Sequence, residues 1–190
     1  MPDTTLTPYP GQTVGPFFHF GLVYPDSHLL VSPEAPGAIT LHGTVTDGNG
    51  DGVPDALVEI WQPGPDGQAP ADQGHIARDG SFSGFGRAAT DPDGHYEFTT
   101  LRPGSADGQA PFIAVAVYAR GLLDRLFTRI YVPGDGVDND AFIQSLDAHE
   151  RASLIAVAEA DGSLRFDIVL QGEKQTTFLS FDPPGTDRHG

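Results

Sequence analysis

Cysteine is absent from this 190-residue chain, methionine and tryptophan occur once each, and lysine plus arginine number 10 against 26 acidic residues. The missing cysteine excludes disulfides, thiolate metal sites and cysteine nucleophiles. A formal charge of −16 is repelled by nucleic-acid backbones and anionic membrane surfaces, so no nucleic acid and no membrane is expected as a partner. Long hydrophobic runs are lacking too. The most continuous one, Phe112 to Ala119, is far below membrane-spanning length. Met1 to Pro16 has neither the basic nor the apolar region of a secretory signal, and a cytoplasmic location is the expectation.

Catalytic signatures are equally scarce. No G-x-S-x-G, Walker-type loop, H-E-x-x-H or G-x-G-x-x-G occurs. The seven histidines are scattered, with no two at a one-, two- or three-residue interval, so neighbours cannot assemble a metal cluster. The run Asp47-x-Asn49-x-Asp51-Gly52 opens like a calcium loop. Its twelfth position, however, is Val58, which offers no oxygen to a large cation, and its flanks read as strands. A strand-to-strand turn is the expectation there.

What the chain does have is glycine and proline, 24 and 17 residues, placed between apolar runs. That distribution predicts an all-β fold, a single β-sandwich of the prealbumin-like type with an extended N-terminal arm and one short helix. Residues 1–36 carry prolines and glycines that oppose a long helix (Pro8, Pro10, Gly11, Gly15, Pro16, Pro25, Pro33 and Pro36 among them), yet also Phe17, Phe18, Phe20, Leu22, Leu29 and Leu30. Such an arm is expected to lie against its own domain or a partner. Residues 37–182 are expected to form the sandwich and 183–190 a flexible tail.

Within the sandwich, Ile39 to Val45 alternates as a half-buried strand, and Ala56 to Gln62 is apolar on both faces, hence more central. Residues 63–85 read as a long loop. His95 to Thr100, Phe112 to Ala119, Leu126 to Val132, Leu164 to Leu170 and Thr176 to Phe181 read as further strands. Asp138 to Ala148 allows the short helix, capped by Asp138 or Asn139.

Several stretches together resemble one family. They are Thr13-Val14-Gly15-Pro16-Phe17-Phe18, the block Gly43 to Gln62, Phe85 to Asp91 running on to Arg102-Pro103-Gly104, Arg129 to Val132, and Phe166 to Gly172. In this order and spacing the chain is similar to the intradiol ring-cleaving dioxygenases, in the branch that alternates alpha and beta subunits of like fold. The resemblance implies a ferric ion held by two tyrosinates and two histidines, with hard phenolate oxygens stabilising Fe(III). It also places the histidines at i and i+2 of one strand, on one face.

In this sequence those two positions are Ile113 and Val115, which have no lone pair to donate. Tyrosine is likewise missing from residues 63–80 and from Leu101 to Pro111, where the resemblance puts it. The implied identity is therefore an iron-free alpha subunit with no catalytic or metal residue of its own. Its Fe(III) would be bound by the beta subunit in an alpha–beta hetero-oligomer acting on protocatechuate and O2. The residues implied to line the substrate channel are Thr13, Gly15, Pro16 and Arg120. Two alternatives stay open: a rearranged iron site using His75, His95 or Tyr118, and a non-enzymatic β-sandwich carrier or adhesion module.

Overall fold

The computed structural model describes residues 15, 18–70, 81–106, 108–134 and 136–180. Two sheets pack face to face. One has the strand order β4-β1-β8-β7, with β9 also pairing on β1; the other runs β3-β2-β5-β6. The strands are β1 (Ala38–Thr46), β2 (Leu57–Trp61), β3 (Phe85–Ala89), β4 (His95–Leu101), β5 (Phe112–Tyr118), β6 (Leu126–Tyr131), β7 (Val157–Ala158), β8 (Leu164–Arg165) and β9 (Ile168–Val169).

Alternation builds the core. Leu41 and Val45 of β1 and Tyr96 and Phe98 of β4 meet Val58 and Ile60 of β2, Ile113, Val115 and Val117 of β5 and Ile130 of β6 between the sheets. The intervening residues face outward, as a period of two requires. The Asp47 turn is a strand-to-strand turn: its Oδ1 accepts from the amides of Asn49 and Asp51, at 2.8 and 3.0 Å.

Three expectations are corrected. Leu164 to Leu170 is not one strand but two short ones parallel to β1, broken at Phe166 and Asp167. At the break the Phe166 carbonyl accepts the Tyr96 hydroxyl at 2.6 Å and presses so close to β1 that a Cβ on Gly43 would sit 1.8 Å from it. Only glycine allows that approach. Thr176 to Ser180 forms no regular strand, only an isolated bridge from Leu179 to Phe127. The expected helix is split. A 3-10 turn (Val137–Asn139) precedes α2 (Ala141–Ser145) and α3 (Ala148–Ala152). The caps are Asp140 and Asp147, and Asp140 also accepts from the Ala110 amide at 3.0 Å, which pins a helix start where the sequence pattern ran straight on. Phe85–Ala89, read only as a motif, is a strand.

Before β1, α1 (Phe18–Leu22) leads into a segment that joins both sheets. The Leu30 amide donates to the Thr99 carbonyl on β4, and the Leu30 carbonyl accepts from Ser83 beside β3. Leu30 itself is fully buried. This stitch covers two edges that would otherwise offer unpaired backbone groups. The expectations for residues 1–14, Pro16, Phe17, 71–80 and 181–190 fall outside the described residues.

Candidate functional site

Ile113 and Val115 lie on the inner face of β5 and are buried among the apolar side chains between the sheets. Neither can bind a metal. Beside Trp61, a hollow of about 480 Å³ is lined by Gln62, Pro63, Gln68, Gly84 and Ser105 among others, in the loops where the resemblance implies tyrosine ligands. Among the described residues that line it, none is a histidine, a tyrosine or an acid. Among the described residues no group of three or more His, Asp or Glu could hold a metal ion.

The phenols point the same way. Burial pushes the Tyr96 hydroxyl far above its ordinary value, and burial is also the first cause that raises Tyr118 and Tyr131. A tyrosinate ligand needs the opposite shift. The described residues do not fit a ferric ion. A rearranged site fares no better: His95 faces outward from the first sheet and Tyr118 from the second, while His75 is outside the described residues.

Of the channel residues, Thr13 and Pro16 are outside the described residues. Gly15 is half-buried, takes φ +79 and has open space where a side chain would be. Arg120 is in the turn after β5, with its side chain 63% exposed, and pairs through Nη2 with Asp55. The antiparallel register of β2 and β5, continued two residues past Leu57 and Tyr118, sets Asp55 opposite Arg120. Asp55 holds φ +59, an uncommon conformation for a residue with a side chain. Because Asp55 engages one nitrogen of a five-donor group, the rest of the guanidinium remains available to an anion.

A charged network went unread in the sequence. Glu59 sits mid-strand on the outer face of β2. Its Oε1 accepts from Arg87 of β3, at 2.7 Å from Nε and 2.5 Å from Nη2, and its Oε2 from the Tyr118 hydroxyl at 3.3 Å. With side chains 11% and 19% exposed, Glu59 and Arg87 form the most enclosed ion pair among the described residues. The signal was a lone acid inside Leu57-Val58-Glu59-Ile60-Trp61 and a lone arginine inside Phe85-Gly86-Arg87-Ala88-Ala89, since charges in buried strands need partners.

Comparison with known proteins places the chain. The Dioxygenase family profile matches residues 26–115. A protocatechuate 3,4-dioxygenase alpha chain from Burkholderia cepacia is 36% identical over 93% of this chain and 98% of its own length. The beta chain from the same organism is 32% identical over 73% of this chain and 66% of its own. Among solved structures, the dioxygenase domain of a carbohydrate-binding fusion protein from Streptomyces sp. SirexAA-E superposes with a TM-score of 0.60 at 26% identity, over 87% of this chain and 99% of that one. The chain belongs to the intradiol dioxygenase family, whose members use non-haem Fe(III).

Proposed function

We propose that this chain is the iron-free alpha subunit of a protocatechuate 3,4-dioxygenase. The complex cleaves protocatechuate with O2 between its two hydroxylated carbons, giving 3-carboxy-cis,cis-muconate, and the Fe(III) belongs to the beta subunit. The observation that carries the reading is the pair of aliphatic residues Ile113 and Val115, buried between the sheets, in a chain that aligns nearly end to end with an alpha chain. Likeness to a beta chain as well supports a hetero-oligomer of similar subunits. In this reading the arm, residues 1–36, reaches toward the partner, and the protein works in the cytoplasm.

Thr13, Gly15, Pro16 and Arg120 line the channel over the partner's iron. Gly15 and Pro16 give a side-chain-poor turn that lets backbone approach a flat ring. Arg120 meets the substrate carboxylate, an anion that needs a local cation in a protein of charge −16.

Purification separates this reading from its rivals. The chain alone should be colourless, free of iron and inactive, while the complex should carry the red-brown tyrosinate–ferric colour. Stoichiometric iron in the isolated chain would sink the proposal, and failure to bind any iron-bearing partner would favour a carrier module. In the complex, Arg120→Ala should raise KM for protocatechuate about tenfold with iron content unchanged, the loss typical of one charge-assisted contact.

A further inference from the structure

We infer that Arg87, held by Glu59, is a positioning residue: it ties the amino-terminal segment to the outer face of the second sheet and so sets Gly15 and Arg120 relative to each other. The inference rests on the channel role proposed for those two residues and adds the device that places them.

Arg87 engages the segment at three points. Its amide donates to the Ser27 carbonyl at 2.7 Å, its carbonyl accepts the Ser27 hydroxyl at 2.8 Å, and its Nη1 donates to the Leu22 carbonyl at the end of α1, at 2.7 Å. The last bond has no part in the sheet. The pairing of β2 with β3 is complete from Leu57–Ala89 to Trp61–Phe85 without it. Phe18 is buried and anchors the start of α1, whereas Phe20 is 74% and Leu22 40% exposed. The carbonyl clasp therefore adds a polar restraint at the exposed Leu22 end of a helix that starts three residues after Gly15.

The same network reaches the other channel residue. The second oxygen of Glu59 takes the hydroxyl of Tyr118, which stands two residues before Arg120 on β5. One carboxylate thus links the segment that follows Gly15 to the strand that delivers Arg120. Arginine suits the task because Nε and Nη2 can bind Glu59 while Nη1 points away to the Leu22 carbonyl. Lysine, a point charge on a flexible stem, keeps the ion pair but cannot reproduce that fork.

Arg87→Ala strands the Glu59 charge and can unfold the chain, so the test uses Arg87→Lys, with Glu59→Gln as a second variant. The isolated chain is digested with chymotrypsin, and cutting after Phe18, Phe20 and Leu22 is followed by mass spectrometry beside amide exchange of β2, β3 and β5. Cleavage is expected to speed up about tenfold with sheet exchange unchanged, a local opening rather than a global one. In the complex with its iron-bearing partner, KM for protocatechuate should rise about fivefold with kcat held within about twofold. Unchanged cleavage, or cleavage that rises only as the whole sheet loosens, overturns the inference. Faster cleavage with unaltered KM keeps the clasp and overturns the channel reading beneath it.

Discussion

The outer faces of the two sheets carry charge in different ways. On the first, His42, Glu159, Arg165 and Asp167 form a chain of hydrogen bonds and ion pairs whose side chains are 22–42% exposed, and water shares the work of each contact. On the second, Glu59 and Arg87 are enclosed, Trp61 packs at a tilt against Phe85 with ring centroids 4.3 Å apart, and the Arg129 guanidinium lies 4.2 Å from the Phe112 ring centroid and 5.0 Å from that of Phe142. The first face is a solvated surface. The second is organised like an interior, and α1 and the segment behind it cover part of it. Similar residues therefore carry different energies, since a pair removed from water depends wholly on its partner.

The largest test of that contrast is Arg87→Ala, expected to destabilise by about 3–5 kcal/mol because it leaves the Glu59 charge enclosed and unpaired; urea unfolding measures it. Gly43→Ala comes next. Its new Cβ meets the Phe166 backbone, which cannot swing aside, and a loss of about 2–3 kcal/mol should appear as a lower Tm. Tyr96→Phe removes a buried hydroxyl and leaves the Phe166 carbonyl without that donor, for a loss of about 1–2 kcal/mol in the same assay.

The smallest effect belongs to the solvated face. Accepting from His42, then from Ser163, holds the Glu159 carboxyl below its ordinary value of 4.5. A depressed carboxylate adds stability above that ordinary value, and the contribution is lost as pH falls through the lowered one. Glu159→Gln should therefore narrow its gap to the parent protein only in acid, with little difference between the two at the low end. A gap at neutral pH as large as that of Arg87→Ala would erase the distinction between the faces.

Much of this was legible without coordinates. Apolar patterning located β1, β2, β4, β5 and β6. Alternation marked β1 and β4, because a sheet with one buried face imposes a period of two, and more continuous apolar runs marked the central β2 and β5. That Ile113 and Val115 offer no lone pair to a metal was legible too, since side-chain chemistry is a property of the residue alone. Boundaries were less legible. The helix was split by Asp140, whose bond to Ala110 joins residues thirty apart, and the strand after Leu164 was broken by a contact with Tyr96, seventy residues before Phe166.

Residue identity by itself determined that this polypeptide forms a β-sandwich and that Ile113 and Val115 carry no metal donor. Tertiary structure alone decided that Glu59 meets Arg87, that Arg87 reaches Leu22, and that Asp55 stands across from Arg120. Those outcomes depend on strand register and on which edges adjoin, and such long-range pairings leave no periodic trace along the chain.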